Sequence, residues 1–184
     1  DEGNVRVYAE RVRPLPKLLV FGGGFDALPV VKLASEMGFA TTVVDHREQY
    51  LSEERFPSAH ERILLHPSDL EAFKQLRPHD YIVVMTHNYL YDLEILKYSF
   101  GTGASYIGQI GPKDRAEELL EELKQSGISL NDETLSRFHS PIGLDLGAET
   151  PEEIALSIMS EILAVHRGRA GQPMRDRTGP IHGD

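Results

Sequence analysis

The chain has 184 residues, 40% of them hydrophobic and 26% charged, with a net charge of −10 and no cysteine. That length can bury one good core, and the charge argues against nucleic acid and anionic membrane surfaces, both of which would repel it. Without cysteine the sequence offers no disulfide, no zinc–thiolate or iron–sulfur site and no thiol nucleophile, and a cytoplasmic location is expected.

No apolar run reaches the roughly 20 residues of a membrane span. The opening DEGNVRVYAERV lacks the apolar stretch of a signal peptide. Its first residue is not Met, as expected of a processed or trimmed product.

VRVYAERV (5–12) alternates apolar and polar and predicts a half-exposed strand. Pro14 and Pro16 then make a stiff joint. KLLVF (17–21) is nearly all apolar, as a buried parallel strand is. Ala27, Leu28, Val30, Val31, Ala34 and Met37 keep helical spacing, and Gly38 can end that helix. ATTVVD (40–45) is β-branched and predicts a second strand. RILLH (62–66) predicts a third. Ser68 then caps a short helix near 69–76. DYIVVMT (80–86) predicts a fourth strand, YLYDLEILKYSF (89–100) a helix, and SYIGQIG (105–111) a fifth strand.

KDRAEELLEELKQSG (113–127) predicts an amphipathic helix with Leu119, Leu120 and Leu123 inside. Thr150, Pro151 and Glu153 form a capping box with proline at the first helical position. Ile154, Ile158, Ile162 and Val165 line one face of the helix that follows. Residues 169–184 are rich in Gly, Pro and charge without periodicity and are expected to form a mobile tail.

Strands alternating with helices imply an α/β fold, a Rossmann-like three-layer sandwich with a mainly parallel sheet. The expected division is an N-terminal strand and linker over 1–16, one Rossmann-like domain over 17–168, and the tail.

The stretch after the first strand carries chemistry. Gly22, Gly24 and Ala27 make G-x-G-x-x-A, within the run Gly22, Gly23, Gly24, Phe25. The first glycine permits the tight turn, the second lets backbone approach a phosphate, and Ala27 lets helix pack on strand. The helix N-terminus offers unpaired N–H groups to an anion. Asp45 lies 21 residues after Gly24, at the end of the second strand, where an acid bonds a ribose 2′-hydroxyl. Arg47, two residues on, could instead hold a phosphate, so NAD and NADP both stay open as cofactors, with a lean to NAD. The plainer reading is that the glycines only close a βα turn. Asp26 puts a carboxylate near the supposed phosphate, and Pro29 fits only within the first helical turn.

His87, in THNYLYD after the fourth strand, is placed to act as acid, base or ligand, with Asn88 and Asp92 near it; or His87 and Asn88 simply cap the next helix and Asp92 is solvated. His139, in RFHSPIGLDLG, is a second candidate ligand, although a loop histidine beside Pro141 more often serves packing. Glu117, Glu118, Glu121 and Glu122 read as a solvated helix face. Y-x-x-x-K, G-x-S-x-G, H-E-x-x-H and the P-loop pattern are all absent, and no catalytic or metal-ligating set stands out.

YIGQIGPKDRAEELLEEL followed by RFHSPIGLDLGAETPEEIALSIMSEILAV resembles the C-terminal Rossmann domain of the XdhC/CoxI family, accessory proteins of molybdenum hydroxylases such as xanthine dehydrogenase. The glycine turn, VVDHR and MTHNYLYD sit in matching order, and the resemblance spans roughly 14–168.

It implies binding of molybdenum cofactor and delivery to a hydroxylase apoenzyme, with a sulfurtransferase as a further partner and a homodimer as the assembly. A non-enzymatic cofactor chaperone is implied rather than an oxidoreductase. Gly22, Gly23, Gly24, Phe25, Asp45, Arg47, His87 and His139 are the candidate cofactor-binding residues. Phe25 stands where the family commonly has histidine. The family's further amino-terminal region with cysteine has no counterpart here, as expected if another chain supplies it or if this is a fragment or reduced paralogue. An NAD-dependent oxidoreductase and a nucleotide-sensing assembly module are the alternatives.

Overall fold

A computed structural model of the chain describes residues 14–73 and 79–179. The predicted strand at 5–12, the end of the helix at 69–76 and the last residues of the tail lie outside these.

Six parallel strands form one sheet: β1 (Lys17–Phe21), β2 (Ala40–Asp45), β3 (Glu61–Leu64), β4 (Tyr81–Val84), β5 (Tyr106–Gln109) and β6 (Phe138–His139). Their spatial order is β3-β2-β1-β4-β5-β6. Each half of the sheet winds outward from β1 and β4, so a crevice opens between those strands at their carboxyl ends. The α/β Rossmann architecture is therefore as the alternation implies.

The apolar strands are buried on both faces by helices, which is why they read as continuous apolar runs. Along β1, Leu18 and Val20 point to one layer, where α1 (Ala27–Glu36) and α6 (Pro151–His166) supply Val30, Ala34, Ile158 and Ile162. Leu19 and Phe21 point to the other, where α3 (Tyr89–Phe100) and α4 (Lys113–Gln125) supply Leu93, Leu96, Leu119 and Leu123. Leu120 is only partly buried against that second layer.

The helix starts are local in origin. Thr150 accepts from the Glu153 N–H, and the Glu153 carboxylate accepts from the Thr150 N–H, closing the capping box. Asn88 caps α3, accepting from the Tyr91 N–H. Pro29 falls in the first turn of α1, where its missing N–H costs nothing. In front of the short helix α2 (Leu70–Phe73), Asp69 rather than Ser68 takes the capping role: its carboxylate accepts from the Ala72 N–H at 3.0 Å, while the Ser68 hydroxyl pairs with His66.

Two elements lacked a sequence signal. The short helix α5 (Asp132–Leu135) starts at an Asn131–Thr134 capping box, and β6 is two residues long. From residue 169 to 179 the only regular structure is a 3-10 turn at Met174–Asp176. Among the described residues no helix is long and apolar enough to cross a membrane.

Ala27 is fully buried where α1 passes β1. Ala27→Val should overpack that contact and cost about 1–3 kcal/mol. A lowered thermal midpoint by circular dichroism, with the far-ultraviolet spectrum unchanged, is the expected result.

Candidate functional site

The carboxyl edge of the sheet gathers the polar side chains that the core excludes. At its centre is the glycine turn. Gly22 has φ +105°, and a β-carbon there would lie 2.5 Å from the Met85 carbonyl oxygen at the end of β4. Only glycine meets both conditions. A β-carbon on Gly23 would lie 2.8 Å from the Tyr50 carbonyl oxygen. Gly24 differs, because its β-carbon would meet nothing within 4 Å. That open side lies at the start of α1, and among the described residues no acceptor takes the N–H groups of Gly24, Phe25 or Asp26. An anion approaching Gly24 finds donors and the positive end of a helix dipole.

Asp45, 4% exposed, ends β2 beside this turn. Its Oδ2 accepts from the Gly23 N–H at 2.7 Å and from Arg47 Nη2 at 2.9 Å. Its Oδ1 accepts from the Arg47 N–H and Arg47 Nε, both at 2.9 Å. Burial alone would push this carboxyl up, but the Arg47 hydrogen bonds and the two backbone donors outweigh it and hold Asp45 below its ordinary value. The acid read in the sequence as a ribose acceptor is thus engaged with Gly23 and Arg47. The crevice beside it, lined by Gly22, Asp45, His46, Arg47 and Thr86, measures about 10 Å³.

The Arg47 guanidinium also lies 3.7 Å over the Tyr50 ring, and that of Arg55 lies 5.0 Å from the same ring. Arg55 Nη2 donates to the Gly23 carbonyl at 3.1 Å. On the α1 side, Phe25, Leu28, Pro29, Arg55, Phe56 and Pro57 line a groove of about 350 Å³. Phe25, 68% exposed, stands at the boundary between turn and groove.

His87 reaches the turn from the end of β4. It has φ +57°, in the left-handed region, and its Nε2 lies 3.2 Å from Asp26 Oδ2. The Asp26 carboxylate therefore faces an imidazole rather than the open side of Gly24 alone. Asn88 caps α3, whereas His87, which one reading of THNYLYD paired with it as a cap, turns to Asp26.

Asp92 does not face solvent. It is fully buried, accepting from the Thr86 hydroxyl at 2.5 Å, Arg115 Nη2 at 2.7 Å and Gln109 Nε2 at 3.3 Å. Here burial wins over these bonds, and the Asp92 carboxyl is pushed up.

His139 is not brought to the turn. It lies on β6, three strands from β1, stacked on Tyr106 at 4.3 Å with its Nδ1 3.1 Å from Glu161 Oε1. Glu161 also accepts from the Tyr106 hydroxyl at 2.6 Å and the Gly143 N–H at 2.9 Å.

Sequence reasoning missed Tyr50, Arg55, His46, His66 and Tyr91. The last three form an edge-on ring cluster beside Asp45, with His46 and Tyr91 centroids 4.8 Å apart. For Arg55 no local pattern existed, since its partner Gly23 is 32 residues away. Among the described residues no group of three or more His, Asp or Glu is arranged to hold a metal ion.

These features define a Rossmann domain whose glycine turn is tied to an acid at the end of β2 and open at its second glycine. Residues 18–162 match the XdhC Rossmann domain, and the chain belongs to the XdhC family. It is 36% identical to a probable xanthine dehydrogenase subunit of Bacillus subtilis, over 88% of this chain and 46% of that protein. It is 29% identical to the uncharacterized protein YqeB of Escherichia coli, over 90% of this chain and 30% of that protein. The chain thus spans between about a third and a half of these relatives.

A crystal structure of a xanthine dehydrogenase from Bacillus halodurans superposes with a TM-score of 0.73 at 35% identity, covering 84% of this chain and 45% of that one. A Rossmann-fold NAD(P)-binding family protein from Shigella flexneri shares the fold, with a TM-score of 0.57 at 12% identity over 92% of this chain and all of that one.

The depressed Asp45 carboxyl links stability to acid. A carboxyl held lower when folded than when unfolded contributes stability above its unfolded value, and loses that contribution as pH falls through the folded value. Asp45→Asn should destabilise the fold by about 1.5–3 kcal/mol at neutral pH, the worth of hydrogen bonds to a charged group. The gap from the parent should narrow as pH falls below the ordinary aspartate value of 3.8. Urea titrations from pH 7 to pH 2.5 measure it.

Proposed function

We propose that this chain holds a phosphate-bearing cofactor, the molybdenum cofactor, for delivery to a molybdenum hydroxylase such as xanthine dehydrogenase, and that it carries out no redox step of its own. The observation that carries the reading is the open side of Gly24 beside three N–H groups at the start of α1 that, among the described residues, no acceptor takes. A phosphate oxygen needs backbone approach to roughly 2.7–3.2 Å, and a β-carbon at position 24 would stand in that path. The family resemblance implies the cofactor class; the geometry supports its phosphate end.

The residues divide the work. Gly22 lets the turn lie against β4, Gly23 ties it to Asp45, and Gly24 and Phe25 present N–H groups. Arg55 adds positive charge from the side, hydrogen-bonded to the Gly23 carbonyl. Phe25 offers a ring face at the groove, where the organic part of the ligand would lie. The cofactor, when bound, supplies the redox chemistry that the receiving enzyme uses. This chain binds, orients and shields it.

Gly24→Val should leave the fold intact, since its side chain meets open space, and should lower cofactor retention at least tenfold. The measurement is fluorescence of the oxidised pterin that copurifies with, or is added to, the parent and the variant, with circular dichroism as the fold control. A folded Gly24→Val that retains pterin as the parent does would overturn the reading.

A further inference from the structure

The glycine turn has two sides, and they differ in what they leave open. We infer that Arg47 is the specificity-determining residue of this site. It fills the ribose position over β2, so that the turn takes a phosphate monoester whose organic part lies along α1 and refuses dinucleotides with a free ribose. The inference rests on the phosphate-binding reading of the turn given above.

A dinucleotide on this fold lays its adenosine ribose over the end of the second strand, where the acid accepts from the ribose hydroxyls. An ionised carboxylate has about four acceptor positions. Asp45 fills them all from within the chain: the Gly23 N–H, the Arg47 N–H, Arg47 Nε and Arg47 Nη2, at 2.7 to 2.9 Å. A ribose hydroxyl can be accepted only if Arg47 lets go. Arg47 is held on its other side too, over the Tyr50 ring at 3.7 Å. It also occupies space: the crevice that it lines, about 10 Å³, admits no more than about one water molecule.

The α1 side is open by comparison. Its groove of about 350 Å³ runs from Phe25 past Leu28 and Pro29 to Phe56, and Arg55 belongs both to this groove and to the turn. That volume lies within the range of small-molecule pockets. A ligand with one phosphate and one compact ring system can use the turn and this groove together without touching β2. A dinucleotide cannot, because its second half has to go where Arg47 is.

The test is calorimetric titration with two probes, NAD and inorganic pyrophosphate. The proteins are the parent, Arg47→Ala and the double variant Arg47→Ala/Asp45→Asn, each checked by circular dichroism. The parent should bind pyrophosphate and bind NAD weakly. Arg47→Ala should tighten NAD binding at least tenfold by freeing Asp45 and opening the crevice, with pyrophosphate affinity changed less than threefold. The double variant should lose the gain, because the freed acceptor is gone.

If Arg47→Ala does not fold, Arg47→Lys serves. It keeps the charge but cannot bridge both carboxylate oxygens, and should gain about threefold. NAD binding to the parent as tight as to Arg47→Ala overturns the inference, and so does a folded Arg47→Ala that gains nothing. Neither result touches the proposed phosphate site, which fails instead if the parent binds no pyrophosphate or if Gly24→Val binds it unchanged.

Discussion

The carboxyl edge of this domain depends on the absence of one atom. Between the end of β1 and the Met85 carbonyl there is no room for a β-carbon, and the backbone at Gly22 takes a conformation that side chains disfavour. Because Gly22 is glycine, the chain can turn hard against β4, and α1 begins directly over the sheet edge. The Gly23 N–H is thereby aimed at Asp45 on β2, and the open side of Gly24 is aimed at solvent. A larger residue at position 22 would displace the turn, and with it the donors at the start of α1, the Asp45 anchor and the Arg55 contact.

Two buried aspartates at this edge show how neighbours decide what a carboxyl does. Asp45 gains two backbone donors and a two-pronged guanidinium, and its charged form prevails over burial. Asp92 has an arginine as well, but meets it through one nitrogen and sits deeper, and burial prevails. The first fixes a turn. The second holds together the ends of β4 and β5 through Thr86, Gln109 and Arg115.

The fold was legible where its causes are local. Apolar runs marked β1, β2, β4 and β5, helical spacing marked α1, α3, α4 and α6, and the Thr150–Glu153 pair marked where α6 starts. β6 had no such cause: it pairs through two residues, and the preceding Arg137 is held by Nη1 bonds to the carbonyls of Thr102 and Ala104, more than thirty residues back. The site was legible as a turn and an acid, not as a pairing. The run DHR offered Arg47 as a phosphate ligand, whereas the folded chain spends its guanidinium on Asp45. His139 read as a loop residue open to either role, and its neighbours Tyr106 and Glu161 come from distant elements that no spacing connects.

The sheet also ends in a particular way. At one margin stands β6, with two residues; at the other stands β3, with four, led by Glu61 and Arg62. Margins this short give an incoming strand few free backbone groups to pair with, and at β3 the charged Glu61 and Arg62 add to that. Association by sheet extension is thereby discouraged at both borders. Among the described residues, the surfaces left for a larger assembly are the helices and the loops at the carboxyl edge, where the glycine turn already lies.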